Sequence, residues 1–460
     1  MPWTLDATEL ADHIRMRKVS AREAVTSVLA RMDAVNSTLN AVVLPLHESA
    51  LAAADAADVA VARGAALGVL HGVPITTKCN TDQIGCPTDN GVAAYRDLIA
   101  TQDNPLIGKL KRAGAIIVGR TNTPAHSMRW FTDNALHGLT KNPWHPEITP
   151  GGSSGGAASA VAAGIGAIGQ GNDIAGSIRY PAYCCGVAGL RPTHGRVPAM
   201  NATSAGARPI TAQLMAVNGP LARRVRDLRL GLEAMAGFDV MDPRSVDMPL
   251  RFAPVARRVA MVAHWPGTTL HPAVAATVRA AGVALMDAGY VVEEVDPPDL
   301  AAVARVWGEI AGADLLGGLA ASAAASGDPG LLRAMELGLW GAERDPAASL
   351  AGLARREQML QRWQVFLQDW PAVLMPVSAA LPYAHDHDLR DAATTAAMMA
   401  EQGPMLAIPV LGLPAVVVPT GLYEGVPVGV QIVAGRFRED VCLGVGEVVE
   451  AALGLDTPVK

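Results

Sequence analysis

The spacing of apolar positions along the chain predicts helices and short buried strands in alternation. Ser20 and Glu23 form a capping box that predicts the start of an N-terminal helix. Residues 69–77 instead alternate apolar with small or polar residues, which predicts a strand that ends at Lys78. A helical pattern over 94–114 follows. Helices that alternate with strands indicate an α/β sheet with helices on its faces.

The second part of the chain continues this alternation. Strands are predicted over 115–119, 257–262, 290–295, 372–376 and 429–433, and helices over 272–288, 300–367 and 441–452. The most apolar window, 404–422, carries a proline at every fifth position, which argues against a membrane helix and favours two short buried strands. The least sheet-like part, 300–400, is expected to form a helical cap or substrate-specificity region.

Composition and charge narrow the class of protein. Half of the 460 residues are hydrophobic and 17% are charged, which is typical of a chain with a large buried core. The net charge of −6 argues against a nucleic-acid-binding protein. The N-terminal segment has no apolar run, so no signal peptide is expected. The five cysteines lack zinc-binding spacing and are expected to be reduced. We therefore expect a cytoplasmic protein without a membrane or nucleic-acid partner.

Two glycine-rich motifs have functional interpretations that their surroundings do not favour. Residues 164–169 match the G-x-G-x-x-G pattern of dinucleotide-binding loops, but a helical alanine run precedes them where such a loop needs a strand. They are interpreted as a helix end and a turn. Residues 151–155 fit the G-x-S-x-G nucleophile elbow, which also needs a preceding strand, whereas 142–150 has the composition of a loop. The alternative is a glycine turn in which Ser153 or Ser154 caps a helix.

A turn that carries a serine lies further along, at 172–181. Its small residues allow a substrate carbonyl to approach the main chain closely. Backbone amides that converge on one point form an oxyanion hole. The amides predicted to converge here belong to Ile174, Ala175, Gly176 and Ser177. Taken alone, however, the segment favours a plain glycine turn without a catalytic role.

The motifs in combination resemble the amidase signature family across nearly the whole chain. The segments that carry the resemblance are 72–78, 151–156, 176–179, 185–193, 412–415 and 425–431. In that family the nucleophile lies 24 positions after a bridging serine, and Ser177 lies 24 positions after Ser153. The resemblance implies a single α/β domain over 1–460, with a central mixed, twisted β-sheet flanked by helices on both faces. The catalytic core is expected over 60–250.

The resemblance also implies a serine-serine-lysine triad. Ser177 corresponds to the nucleophile and Lys78 to the base. Ser153 corresponds to the bridging serine, held on a cis peptide after Gly152. The residues expected to support the site are Ser154, Asp173 and Arg179. A lysine acts as a base only when it is neutral, and burial after an apolar strand lowers its pKa. The expected reaction is hydrolysis of a carboxamide C–N bond through an acyl-serine, without a metal or cofactor.

Three positions depart from the family pattern. Cys79 stands where the family commonly has Asp, Ala175 where glycine is usual, and Asn172 where Thr or Ser is common. The departures leave all three members of the implied triad in place. A cysteine beside Lys78 removes a nearby negative charge, which favours the neutral amine.

The substrate is predicted from a bulky segment before the glycine-serine block. The residues expected to bind it are Met128, Trp130, Phe131, Gly152 and Tyr180. Aromatic residues make up only 4% of the chain, so the adjacent Trp130 and Phe131 are informative, although core packing explains them equally well. If they line the pocket, the acyl group is aryl or medium-sized and apolar. Four further side chains are expected around the pocket, namely Trp307, Trp340, His126 and His137.

Other functions stay open at this point. Within the family, the alternative is the glutaminase (A) subunit of a tRNA-dependent amidotransferase, which usually carries Gln where this chain has Tyr180. Outside it, the alternatives are an α/β-hydrolase-like esterase that uses Ser153 and a binding protein without catalysis. The expected partner is a small amide substrate, and the resemblance also allows a homodimer.

Overall fold

A single mixed β-sheet of eleven strands runs through the part of the chain that this computed structural model describes, residues 1–204, 206–340 and 345–457. The strands in chain order are β1 (Val42–Pro45), β2 (Pro74–Lys78), β3 (Ile116–Thr121), β4 (Ile168–Asp173), β5 (Ala188–Arg191), β6 (Val217–Ala222), β7 (Arg258–Met261), β8 (Val291–Glu294), β9 (Ala372–Pro376), β10 (Ala415–Tyr423) and β11 (Val426–Ala434). Across the sheet they lie in the order β1-β3-β2-β4-β6-β5-β10-β11-β9-β7-β8. Strand β2 is parallel to β3 and β4, and β7 is parallel to β8 and β9. The other pairs are antiparallel.

Sixteen α-helices accompany the sheet in the same described ranges. They are α1 (Ala7–Arg15), α2 (Ala21–Leu39), α3 (His47–Ala62), α4 (Pro105–Arg112), α5 (Gly155–Ala162), α6 (Arg179–Cys185), α7 (Ile210–Met215), α8 (Val225–Met235), α9 (Pro272–Asp287), α10 (Leu300–Asp314), α11 (Ala320–Ser326), α12 (Pro329–Glu336), α13 (Pro346–Asp369), α14 (Ala392–Glu401), α15 (Gly403–Leu411) and α16 (Glu439–Leu453). A π-helical turn, Leu315–Leu319, links α10 to α11. The capping box predicted at Ser20 is present at the start of α2.

The two faces of the sheet bury separate apolar cores. Successive side chains of a strand point to opposite faces, and in β10 Ala415 and Val417 join one core while Val416 and Val418 join the other. Helices α5, α6, α10, α13 and α15 cover the first face. Helices α1, α4, α8, α9 and α16 cover the second. The predicted single α/β domain with a mixed sheet between two layers of helices is confirmed.

The middle of the sheet determines where the candidate site lies. Strands β2 and β4 are parallel neighbours, with Ile75 opposite Ile168 and Thr76 opposite Gly169. Their carboxyl ends, Lys78 and Asp173, therefore lie at one edge of the sheet, where parallel strands usually present functional side chains.

The helix predicted over 94–114 is wrong in its first half. Helix α4 begins only at Pro105, and the side chain of Asn104 caps it by accepting a hydrogen bond from the N–H of Leu106. A proline restricts the residue before it to extended backbone, so a helix cannot continue through 104–105. The apolar spacing earlier in the segment belongs to a loop and a short 3-10 turn, Ala93–Tyr95.

The proline-rich apolar window, predicted as two strands, forms one helix and one strand. Its first half forms α15, which begins beside Pro404 and ends at Gly412, where φ is +63°. Proline is tolerated in a first helical turn because its missing N–H has no partner there anyway. The second half forms β10, as predicted. Among the described residues, no helix combines the length and the apolar character of a membrane span.

The 300–400 region contains helices and a central strand. Its last third contributes β9, which lies between β11 and β7 in the sheet. Trp307 of α10 and Trp363 of α13 are fully buried in the core of the first face. Part of the region, 341–344, lies outside the described residues. A role of this region as a cap or specificity element stays a prediction, as does the 60–250 boundary of the catalytic core.

Candidate active site

The Lys78 side chain is buried completely at the end of β2. Its Nζ lies 2.7 Å from Ser153 Oγ, 3.2 Å from Ser154 Oγ and 2.8 Å from Asn172 Oδ1. Burial lowers the pKa of this amine to about 7, because a charged ammonium loses its hydration there. Burial also raises the pKa of the adjacent Cys79 thiol well above its usual range, so the thiol carries no charge at neutral pH. The amine can therefore be neutral near pH 7.

Hydrogen-bond accounting fixes the direction of the Lys78 lone pair. A neutral amine has two N–H groups and one lone pair. Asn172 Oδ1 can only accept a hydrogen bond, and it faces Lys78 because Asn172 Nδ2 donates to Asn80 Oδ1 at 2.9 Å. The Ser154 hydroxyl donates to Asn172 O at 3.4 Å, so it also accepts from Lys78. Both N–H groups are thus used, and the lone pair is left for the hydroxyl of Ser153.

The Ser153 segment packs directly on the Ser177 turn. The Gly152–Ser153 peptide is cis, and the N–H of Ser154 donates to the carbonyl of Ser177 at 3.1 Å. A Cβ at Gly152 would lie 2.5 Å from the carbonyl oxygen of Arg129, so only glycine fits there. Among the described residues, no group hydrogen-bonds to the Ser177 hydroxyl.

The carbonyls of the turn 173–177 are all occupied. Arg191 Nη1 donates to the carbonyl of Asp173 at 2.7 Å. Two indole N–H groups bind the next carbonyls, Trp307 on Ile174 and Trp130 on Ala175, each at 2.8 Å. Main-chain N–H groups bind the last two, those of Tyr180 on Gly176 and Ser154 on Ser177. These five bonds hold the peptide planes of the turn in one orientation.

The same orientation leaves three amide N–H groups without a protein partner in the described structure, those of Ile174, Ala175 and Ser177. The structure differs from the four-amide prediction at Gly176, whose N–H donates to Asp173 Oδ1 at 3.0 Å. A carboxylate is a stronger acceptor than a carbonyl oxygen. Gly176 therefore shapes the turn and is not available to an oxyanion.

Asp173 is the centre of a buried ionic network beneath the turn. Arg179 Nε and Arg191 Nη1 lie 3.0 Å and 3.1 Å from its carboxylate oxygens. Burial acts to raise the pKa of Asp173, but the two guanidiniums hold it well below its usual range. The carboxylate also accepts the N–H groups of Gly176 and Ile178. Asp173 and Arg179 thus lie where a supporting role was expected.

A cavity of about 260 Å³ opens beside this edge of the sheet. Ser153 and Asn172 contribute to its lining, as do Ile174, Met128, His126 and Trp340. Burial lowers the pKa of His126, so this imidazole is neutral. The cavity is therefore lined by one member of the predicted triad, Ser153, and by one of the five residues expected to bind substrate, Met128.

The other four predicted substrate-binding residues do not line this cavity among the described residues. Trp130, Phe131 and Tyr180 are buried in the core of the first face, and Gly152 is closed in by the main chain of the 129–131 segment. Trp307 and His137 also do not line this cavity among the described residues. His137 Nε2 lies 3.1 Å from Asp89 Oδ1. Core packing, which the sequence left open for the two aromatics, is what the structure shows.

The two glycine motifs with alternative interpretations can be compared with the structure. Residues 164–167 form a turn between α5 and β4, as expected for a helix end. Residues 142–153 form an irregular loop, which is not the strand that a nucleophile elbow needs. Ser154 is the N-cap residue of α5, but no side-chain capping bond is present in the described structure, because its hydroxyl is engaged with Lys78.

Several residues of the site were not predicted from the sequence. Asn80 lies in the turn that follows Lys78, and it orients Asn172 because its Oδ1 accepts a hydrogen bond from Asn172 Nδ2. Its closeness to Lys78 in the chain was a usable signal. Trp307 was expected in the pocket wall, whereas its indole anchors the turn. Arg208 lines the cavity from a loop that carries no recognisable motif.

Comparisons with known proteins agree with this geometry. The family model for amidases matches residues 23–443. The chain belongs to the amidase signature family and is an amide-hydrolysing enzyme.

Three particular relatives illustrate the match. The chain is 44% identical over 467 residues to an indoleacetamide hydrolase of Bradyrhizobium diazoefficiens, which covers 98% of this chain and 87% of that protein. It is 31% identical to a glutamyl-tRNA(Gln) amidotransferase (A) subunit from Moorella thermoacetica, with 95% and 94% covered. The structure of a 6-aminohexanoate cyclic dimer hydrolase with substrate superposes with a TM-score of 0.83 at 26% identity, over 100% of both chains.

Proposed function

We propose that Ser177 is the nucleophile of this amidase, with Ser153 as proton relay and Lys78 as base. In the first step Ser177 Oγ bonds to the amide carbon while its proton passes to Ser153. The proton of Ser153 passes at the same time to the lone pair of Lys78. The carbonyl π electrons move to the oxygen, and the free N–H groups of Ile174, Ala175 and Ser177 stabilise the resulting charge.

Breakdown of this intermediate uses the same relay in reverse. Lys78 returns its proton through Ser153 to the amide nitrogen, the C–N bond breaks, and ammonia or an amine leaves. Water then attacks the acyl-Ser177 ester and gives its proton to the relay. The ester bond breaks, Ser177 regains its proton, and the carboxylic acid is released.

The observation that carries this proposal is the environment of Lys78. Its pKa of about 7 makes a neutral amine available, and its other hydrogen bonds direct the lone pair to Ser153. A fluorophosphonate probe with mass mapping of the labelled residue tests the assignment. Label on Ser177 that disappears in Ser177→Ala is expected. Label on Ser153 would instead indicate the esterase alternative.

We further propose that the substrate is an amide with an aryl or medium-sized apolar acyl group. Apolar side chains on one wall of the cavity support this, namely Met128, Ile174, Leu319 and Trp340. The 44% identity to an indoleacetamide hydrolase points the same way. Phenylacetamide and indole-3-acetamide are expected to be hydrolysed with higher kcat/KM than acetamide or succinamic acid. The reverse order would contradict an apolar acyl site.

A glutaminase subunit of an amidotransferase is the second candidate, because of the 31% identity to such a protein. We expect stand-alone hydrolysis, since Tyr180 replaces the usual Gln after the G-S-I-R motif. Glutamine belongs in the same substrate panel, and a preference for it over the arylacetamides would favour the amidotransferase role. A homodimer and a cytoplasmic location stay predictions.

A further inference from the structure

Arg208 lies in the wall of the substrate cavity without an acidic partner. Its Nη2 donates to the carbonyl of Ala212 at 3.2 Å, and its Nη1 lies 3.9 Å from the thioether of Met200. Within the described residues, no carboxylate comes within ion-pair distance of this guanidinium. A neutral carbonyl and a thioether satisfy a guanidinium poorly, since it presents five donors and a full charge.

Four fully buried arginines of the chain each have a carboxylate at 3.1 Å or less: Arg129 with Asp388, Arg179 and Arg191 with Asp173, and Arg196 with Glu439. Arg120 and Arg223 are equally buried and donate to neutral oxygens instead, but neither lines the cavity. The acidic residue that acts on Arg208 from a longer distance is Asp242. Both oxygens of Asp242 already accept main-chain N–H groups, those of Ala199 and Arg244. Asp242 is therefore held by the main chain and does not pair with Arg208.

Most of the remaining polar groups of this wall already bind each other or the main chain, whereas His126 Nε2 has no partner among the described residues. Asn80 donates to Ser127, Asn104 to Asn201, Asn201 to the carbonyl of Asn80, Thr211 to Asp314, and Asn218 to the carbonyl of Pro198. A neutral polar ligand thus finds few open partners here. An anionic group gains most, because it forms charge-assisted hydrogen bonds with Arg208 in a partly dry site.

We propose that Arg208 binds a carboxylate on the amine half of the substrate, so that the enzyme hydrolyses N-acylated amino acids with apolar acyl groups. The inference rests on the proposed function and adds its second substrate half. The acyl group occupies the apolar wall around Met128 and Trp340, and the carboxylate of the amino acid reaches Arg208. Hydrolysis of the C–N bond by water gives a carboxylic acid and a free amino acid. The nitrogen of the amino acid receives its proton through Ser153.

A matched pair of substrates isolates the charge. N-phenylacetylglycine and N-phenylacetylglycinamide differ only in a carboxylate against a neutral carboxamide. The initial rate of phenylacetate release is measured for both, because the terminal carboxamide of the second compound is itself an amide that the enzyme can cleave. We expect the wild-type enzyme to favour the glycine compound by about tenfold in kcat/KM, the size expected for a charge-assisted hydrogen bond. In Arg208→Gln this ratio is expected to fall to about one. Arg208→Lys, which keeps the charge but loses the planar fork, is expected to keep part of it.

Arg244→Gln is the control, because Arg244 is also positive and near Arg208 but donates to Gln213 Oε1. It is expected to keep the wild-type ratio. Calorimetry on the Ser177→Ala variant measures the binding of each compound without turnover. Adding Arg208→Gln to that variant is expected to weaken the binding of N-phenylacetylglycine and to leave the binding of N-phenylacetylglycinamide unchanged. Equal kcat/KM values of the wild type for the two compounds, or an unchanged ratio in Arg208→Gln, would overturn the inference. The proposed function would still stand if the enzyme hydrolyses phenylacetamide. Failure to hydrolyse any amide would remove both.

Discussion

The sheet edge at Lys78 and the cavity wall at Arg208 face the same space but are built in opposite ways. At the edge, the Lys78 amine and the carbonyls of 173–177 all have partners, and the elements that hold them are central strands. In the wall, Arg208 has no ion pair among the described residues. Groups that react must be held in place before the substrate arrives, whereas groups that recognise a ligand are satisfied by the ligand itself.

This contrast predicts a division of kinetic effects. Changes at the sheet edge alter how well the transition state is stabilised and act mainly on kcat. Changes in the wall alter contacts that substrate and transition state share, and these act mainly on KM. Variants at the two regions can confirm or break the division.

The largest effect is expected for Lys78→Ala. It removes the only group in the site that we propose as the base, so kcat is expected to fall by about 10³-fold or more. Steady-state kinetics with phenylacetamide measures this. Lys141→Ala, an exposed lysine, serves as the control and is expected to behave like the wild type. Near-normal turnover in Lys78→Ala would show that the proton leaves by another route.

The second effect concerns the anchors of the turn. Trp307→Phe keeps an aromatic ring but removes the N–H that binds the carbonyl of Ile174. We expect kcat to fall by about tenfold with little change in KM, because one of the hydrogen bonds that fix the orientation of the turn's peptide planes is lost.

Trp363→Phe is a closely matched control for this variant. Trp363 is equally buried, and its indole donates to a main-chain carbonyl, that of Pro298, at the same 2.8 Å. Both variants are expected to lower the melting temperature to a similar degree, but only Trp307→Phe is expected to lower kcat. Equal loss of kcat in the two would assign the effect to core packing.

The third effect is a shift in pH dependence. Lys78 must be neutral to accept a proton, so kcat/KM is expected to fall as the pH drops below the pKa of about 7. Cys79→Asp places a negative charge nearby, which stabilises the ammonium and raises the pKa of Lys78. The acid limb is therefore expected to move to higher pH, by about one unit. Cys79→Ser, which stays uncharged, is expected to leave the limb in place, and an unmoved limb in Cys79→Asp would contradict the account.

The smallest effect is expected in the apolar wall. Leu319→Ala removes apolar contact surface from the cavity and is expected to raise the KM for phenylacetamide about fivefold, more than it changes kcat. Leu316→Ala changes an exposed leucine of the same π-helical turn and is expected to leave KM unaltered. A larger loss in kcat than in KM for Leu319→Ala would show that the wall also positions the reacting atoms.

The fold was predictable where local signals and burial agree. The capping box at Ser20 and the alternation before Lys78 gave correct elements, since both depend on neighbours in the chain. The helical pattern over 94–104 and the first of the two strands in the window 404–422 were predicted wrongly. In the first case Pro105 overrides the apolar spacing, and in the second complete burial hides the period that separates a helix from a strand.

The amino-acid sequence by itself determined the family, the glycine-serine motifs and which residues are candidates for the chemistry. Each of these is a property of residue identity and spacing. Only the tertiary structure decided that the Lys78 lone pair is left for Ser153, that the N–H of Gly176 binds Asp173, and that Trp307 anchors the turn 173–177 while Arg208 lines the cavity. These depend on which donors and acceptors meet from distant segments, and such pairings are fixed by the packing of the whole sheet and its helices.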